Sequence, residues 1–368
     1  MNRGHHYRIP GRIELVGKHV DYGGGRSLTC ATDLAMQVRA VPLREPSVRL
    51  RSRSHSDEAV LPLSPAAVAP RGHWVGYAAA VVRRLTRDFP GLSCGVALDI
   101  DSTLPQSAGL SSSSALVVAT ALALIEANQL RETAVWRSAL PDVLAEAEYC
   151  GAMESGAPFG PFPGDAGVGT RGGAQDHVAI CCARAGHVGQ FSYLPARNEG
   201  YVAWPDTQVL AIAVSGVDAT KTTNALAAFN RLSDALRGDD PAGEQRRGQF
   251  QAETREIVPG VFAALGRQDW QRLGQWVDRS QQLAETALGN QIPETIALQR
   301  LAREGGASAA SAFGAGFGGA VWAMVGKQQA EEFRQHWREQ YLARFPRHAA
   351  RYRCFLTLPA GPAACLDP

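Results

Sequence analysis

The chain has 368 residues, 45% hydrophobic and 20% charged, with 37 basic and 35 acidic side chains giving a formal charge of +2. That length suits two domains with a substantial core, and so even a charge balance leaves no footprint for nucleic acid or a membrane surface. The longest apolar stretch, Ala115 to Ile125, is 11 residues, too short to span a bilayer, and the opening MNRGHHYRIP lacks the apolar segment of a secretory signal. Seven cysteines without a CxxC pair indicate neither a disulfide framework nor a zinc site. These features predict a soluble, cytoplasmic protein.

In chain order, Ile13, Leu15 and Val16 between glycines predict a strand, and Gly23 to Gly25 a turn. A second β-like run covers Val38 to Arg53, ahead of the break LPLSPAAVAPRG. Trp74, Tyr77, Ala78, Val81, Val82 and Leu85 recur at helical spacing on one broad face. A strand over Gly95–Ile100 and a turn at Pro105 lead to a long apolar helix from about Ser112 to Ala127. A Gly/Pro-rich loop, Gly151 to Gly173, precedes Gln175 to Cys182. A buried strand starts near Val209, and helical segments follow to about Leu288, broken at 238–241 by Gly-Asp-Asp-Pro. Phe333, Trp337, Tyr341 and Phe345 recur at i+4, the pattern of a helix packed on a core. Strands and helices mix without a regular βαβ alternation, which predicts an α+β fold with a seam around 190–208.

Four segments carry chemistry. GRIELVGKHVDYGGG (11–25) holds Arg12, Lys18, His19 and Asp21. It is not a P-loop, because five residues separate Gly11 from Gly17 and His19 stands where Ser or Thr would hold magnesium. PQSAGLSSSSA (105–115) runs into the long helix. Small residues and free first-turn amides suit a phosphate, and a hydroxyl there can reach the metal that phosphates carry. The alternative is a helix cap, although one serine suffices for that. SAFGAGFGGA (311–320) reads alone as a tight structural turn. In GGAQDH (172–177), Asp176 is either a turn or cap residue or a catalytic carboxylate.

Together these segments resemble the GHMP kinases. Within that superfamily, GRIELVGKHVDYGGG is similar to the galactokinase signature GRVNLIGEHTDYNGG, and GASAASAFGAGFGG to that family's C-terminal glycine motif. The resemblance implies a two-domain GHMP fold, with an N-terminal domain over 1–195 and a C-terminal domain over 196–368. It implies ATP and Mg2+ between them and phosphoryl transfer to a sugar's anomeric hydroxyl. The expected partner is a small-molecule sugar, with the protein a monomer or homodimer. By the same resemblance, Asp176 matches the catalytic Asp and Arg12 its charge-stabilising partner. His19, Asp21, Gly173 and Phe229 fall at sugar-binding positions. Gly109, Leu110, Ser111, Ser112, Ser113 and Ser114, with Gly314 and Gly316, fall in the phosphate-binding segments. Ser113 and Glu146 match the magnesium side, with Glu148 as the substitute for Glu146.

Three departures qualify the match. Lys18 replaces a sugar-contacting Glu. It either selects a substrate with an anion near C6, such as a uronic acid, or pairs with a carboxylate away from the sugar. Phe229 stands where a Tyr is frequent, and the 151–173 loop is long, either a lid or a surface insertion. A catalytically silent sugar- and ATP-sensing protein is the rival from another class, against which Arg12, Asp176 and the intact serine loop argue. A mevalonate-type kinase fits His19 and Asp21 less well. Nothing in the sequence separates ATP from GTP.

Overall fold

The computed structural model describes residues 4–54, 57–70, 72–105, 108–219, 223–236 and 241–367. Gln106 and Ser107 of the serine segment, and 238–240 of the Gly-Asp-Asp-Pro break, lie outside the described residues.

Two sheets organise the chain. The first contains β1 (His5–Val16), β2 (Arg26–Leu43), β3 (Ser47–Ser52), β4 (Glu58–Pro62), β5 (Gly95–Ser102), β6 (His187–Ser192) and β7 (Arg197–Ala203). Its order is β12-β1-β2-β5-β3-β4, with β6 pairing β2 and β7 pairing β6, where β12 is the late segment Ala364–Cys365. The β-like run expected over 38–53 is thus two strands broken at 44–46. β2 is long enough to pair with β1 along one edge and with β6 and then β5 along the other. The second sheet is antiparallel, in the order β11-β8-β10-β9, from β8 (Gln208–Val214), β9 (Ala309–Ala312), β10 (Ala320–Gly326) and β11 (Arg353–Thr357). The chain leaves the first sheet after Ala203 and enters the second at Gln208.

Helices α1 (Gly76–Asp88), α2 (Ser112–Ala127), α3 (Ala134–Ala139), α4 (Val143–Ser155) and α5 (Gln175–Cys181) accompany the first sheet. α2 is buried on nearly every face, as its uninterrupted apolar run requires. In α1, Ala78, Val81, Val82 and Leu85 are fully buried, while Tyr77, and Trp74 just before the helix, pack partly buried against the same core and also line a cleft. The second half adds α6 (Thr223–Ala235), α7 (Pro241–Ala252), α8 (Val258–Arg267), α9 (Trp270–Leu283), α10 (Pro293–Glu304) and α11 (Ala330–Arg344). Phe333, Trp337 and Tyr341 of α11 pack in the core of the second sheet. There the Trp337 indole donates to Leu298 O at 2.9 Å and the Tyr341 hydroxyl to Ser215 O at 2.6 Å. No described helix is long and apolar enough to cross a membrane.

Candidate active site

β1 alternates Ile13 and Leu15 toward the core with Arg12 and Glu14 on the opposite face, the period of a strand with one polar wall. Register shifts at Pro10/Arg12 and Glu14/Val16 bend the strand, and bulges of this kind re-aim side chains. Arg12 and Glu14 thereby line a cleft of about 1350 Å³. The cleft also takes residues from α1, the serine loop, α4, α5, α6 and the 311–320 glycine turn. A volume above the roughly 300–1,000 Å³ of a single small-ligand site leaves room for two substrates.

A hydrogen-bonded cluster sits where β1, the serine loop and α5 meet. Asp176, in the first turn of α5, accepts from Arg12 Nε at 2.6 Å through Oδ1 and from the Ser111 hydroxyl through Oδ2. Arg12 also donates to Gly109 O, and its side chain is 5% exposed against 29% for Asp176. Burial raises the Asp176 pKa, but Arg12 and Ser111 more than reverse it, holding the carboxyl below its usual value and therefore ionised at neutral pH. Burial opposes the Arg12 charge and Asp176 restores it.

The serine loop is built by left-handed backbone at Gly109 (φ 80°) and at Ser111 (φ 61°). Ser111 makes no side-chain cap on α2, so capping does not account for the serines. Its strained backbone aims the hydroxyl at Asp176. Ser112 and Ser113 line the cleft beside the first-turn amides of α2, which no helical residue can accept. Ser114 faces inward and donates to Glu154 Oε2 at 2.9 Å. Leu110 is buried and contributes only its carbonyl, which accepts from Arg12 N at 3.2 Å. Gly314 (φ 79°) lines the cleft against Gly109 O. Gly316 packs on Asn290, where a Cβ would lie 2.4 Å from the Asn290 carbonyl, so packing alone requires glycine there.

On the opposite side, Asp21 accepts from Gln175 N at 3.2 Å and lies over Gly173, where a Cβ would sit 2.6 Å from Asp21 Oδ2. Burial raises the Asp21 pKa. Phe229 of α6 lines the cleft, its ring 5.1 Å from that of His19. The loop expected over 151–173 begins only at Gly156, since 151–155 are the last turn of α4, and it is a wall: Gly167 to Thr170 line the cleft, and Asn230 Nδ2 ties Gly169 O to α6 at 3.0 Å.

Three expectations need correction. Lys18 does not face the cleft. It is 1% exposed and its ammonium donates to Ser280 Oγ at 3.0 Å, while Ser280 in turn donates to Glu253. Gly17, at φ 97°, reverses the strand alternation just before it. The anion-selecting role therefore has no geometric basis. His19 reaches the cleft wall, but Nε2 must carry a proton to meet Ala315 O at 3.0 Å, leaving Nδ1 to accept from the Tyr22 hydroxyl at 3.2 Å. Burial and the Arg246 charge pull its pKa down to about 4, so it stays neutral, with neither ring nitrogen left for a sugar hydroxyl. Glu146 points away from the cleft and is held by Arg131 Nε and Nη2, both at 2.8 Å, and by the Trp136 indole. Glu148 lies against the backbone amides of Leu194 and Ala196. The α4 carboxylate that does line the cleft is Glu154, 6% exposed, between Ser114 and His177 Nε2, the latter at 3.1 Å. It lies eight residues further along α4, about 12 Å at the helical rise. Its sequence signal was a lone carboxylate closing the buried run 149–154.

The GHMP kinases N terminal domain matches residues 76–158, the GHMP kinases C terminal domain 261–343, and the galactokinase galactose-binding signature 2–41. The chain belongs to the GHMP kinases. Its signature and its relatives set it on the galactokinase-like branch of that superfamily. A galactokinase from Chloroflexus aurantiacus is 41% identical over 113 residues, 30% of this chain and 28% of the relative. One from Chloroflexus aggregans is 38% identical over 31% of its length, so these two matches span about a third of each relative or less. A Roseiflexus galactokinase is 27% identical over 94% of this chain and 90% of its own. The fold matches Lactococcus lactis galactokinase complexed with galactose at a TM-score of 0.84, with 16% identity over 99% of this chain and 95% of that one. L. major mevalonate kinase in complex with R-mevalonate gives 0.62, with 19% identity over 96% of each chain.

Proposed function

We propose that this chain is an ATP-dependent kinase that phosphorylates the anomeric hydroxyl of galactose. The observation that carries the reading is the Arg12–Asp176–Ser111 cluster opening into the same cleft as the serine loop. Asp21, Gly173 and Phe229 would line the sugar end, and Ser112, Ser113 and Gly314 the phosphate end. Trp74, Tyr77, Val68 and Pro70 form a further, more apolar stretch of cleft wall suited to a purine.

Phosphoryl transfer asks mainly for alignment and charge neutralisation. The sugar oxygen bonds to the γ-phosphorus as the bond to the β-bridging oxygen breaks, and ADP departs. Asp176, kept ionised by Arg12, accepts a hydrogen bond from the attacking hydroxyl and orients it. A carboxylate of low pKa is a weak base, so its first task is alignment, with proton acceptance late in transfer. Arg12 offsets charge that develops beside it. Glu154 and Ser113 supply the hard oxygen donors that Mg2+ prefers and would hold it on the nucleotide phosphates. When bound, Mg2+ neutralises phosphate charge and fixes the leaving group.

The test is ADP release from Mg-ATP with galactose, glucose, N-acetylgalactosamine, arabinose, galacturonate and glucuronate, with Asp176→Asn as control. Turnover of galactose, absent in the control, is expected. Turnover of the acids alone would overturn the substrate, and ATP binding with no turnover of any sugar would point to a sensor.

A further inference from the structure

Two buried acceptor atoms in the cleft wall, Glu14 Oε1 and Gln175 Oε1, have no hydrogen-bond partner among the described residues. Their residues are 2% and 5% exposed, and both line the cleft. Gln175 Nε2 donates to Glu14 Oε2 at 2.6 Å, which fixes the amide orientation: turned over, its oxygen would face a carboxylate oxygen. None of the neighbouring donors is placed on these two oxygens, although the Lys18 charge acts on the Glu14 carboxyl. Arg12 is on Asp176 and Gly109 O, Lys18 Nζ on Ser280, and Gly17 N on Glu253 at 2.9 Å. Glu14 lies one strand period from Arg12 and Gln175 directly before Asp176, so the paired acceptors adjoin the reactive cluster. Buried acceptors are costly to leave unpaired, and here the cleft is the side from which a donor can come.

We propose that Glu14 and Gln175 form an acceptor subsite that grips a hydrogen-bond-donating substituent of the sugar, a hydroxyl or an ammonium group. The subsite sets specificity against sugars presenting an acceptor or a carboxylate there. It rests on the sugar-kinase reading and deepens it. The charge carried by Lys18 points into the interdomain packing, while the cleft wall itself is acceptor-rich, so it selects for donors.

The experiment measures calorimetric binding and kcat/KM for galactose, its four monodeoxy analogues (2-, 3-, 4- and 6-), the matching deoxyfluoro sugars and galactosamine. The proteins are wild type, Glu14→Gln and Gln175→Met, with ATP binding and thermal melting as controls for folding. The assays are run at pH 8, above the Glu14 carboxyl's raised value of about 7, and losing a hydrogen bond to that charged acceptor is worth about 10- to 100-fold. The wild type should lose that much at one ring position, for the deoxy and the fluoro sugar alike, because fluorine cannot donate. Each variant should reduce the penalty at that position alone. Should one variant fail to fold, the other carries the comparison. Identical penalty profiles in wild type and folded variants, or fluoro sugars matching galactose at every position, would overturn the subsite while leaving galactose turnover intact. Absence of both binding and turnover for every sugar would overturn the kinase reading and the subsite together.

Discussion

Replacing Asp176 with Asn tests the centre of the site. The substitution keeps size and leaves an amide oxygen that can still accept from Arg12 Nε, so the backbone of α5 has no reason to move. It removes the charge, which has two consequences of different size. First, the sugar hydroxyl loses an anionic acceptor, and a positioned acid or base of this kind contributes about 10²–10⁴ in rate. Second, the Arg12 guanidinium, 5% exposed, loses its counter-charge. A fully buried pair broken this way costs about 3–5 kcal/mol. Asp176 is 29% exposed toward the cleft, which brings the expectation to about 2 kcal/mol, partly screened by water. The assay is ADP release at saturating Mg-ATP and sugar, with ATP affinity measured separately. The expected result is a kcat lower by at least 10² with ATP affinity within a few-fold of wild type. A folded variant within tenfold of wild-type kcat would refute the role of the carboxylate.

Three further outcomes follow from the same geometry. Glu154→Gln should raise the magnesium concentration for half-maximal activity by about tenfold or more, with Glu146→Gln unchanged; the reverse pattern in a magnesium titration would return the metal-side role to Glu146. Gly173→Ala places a Cβ 2.6 Å from Asp21 Oδ2, so the KM for sugar should rise about tenfold with ATP affinity kept, and a KM within twofold would count against Asp21 as a sugar contact. Burial pushes the Glu14 carboxyl up to about 7 from 4.5, so the native state holds the extra proton and stability falls as pH rises through that window, by roughly 1–3 kcal/mol. His19, held down to about 4 from 6.5, works the other way, its contribution being lost as pH falls from 6.5 toward 4. Melting temperatures of wild type and Glu14→Gln should draw apart as pH rises from 5 toward 7 and hold a constant gap above it, and curves that stay parallel from pH 5 to 8 would refute the shift at Glu14.

What the sequence disclosed, and what it hid, divides along a physical line. The polar face of β1, the buried α2 and the aromatic stripe of α11 follow from local periodicity, which a one-dimensional reading records directly. Arg12 and Asp176 were legible through motif resemblance, and the structure brings them to 2.6 Å across 164 residues. Lys18 stayed open between two readings because resemblance compares residue types and not directions: the structure favours the one away from the sugar, the positive φ of Gly17 preceding a side chain that reaches Ser280, a partner 262 residues away. Glu146 failed for a similar reason, since its bidentate hold on Arg131 depends on how α4 packs against the segment before α3. Glu14 drew no attention as a strand residue, because an acceptor with no partner is visible only once every surrounding donor has been placed.

The pairing of β12 with β1 has a consequence for how the molecule is made. Tyr7 and Arg8 face Cys365 and Ala364, while Ala360 N bonds Ala31 O at 2.9 Å and Thr357 donates to Asp33 at 2.6 Å. The edge of the first sheet is therefore closed by residues translated after every strand of the second sheet. During synthesis that edge stays open while the whole second sheet is being translated, and an open strand edge invites pairing with other chains. The nascent protein thus passes through a long interval in which the first sheet can form but its edge is unsealed.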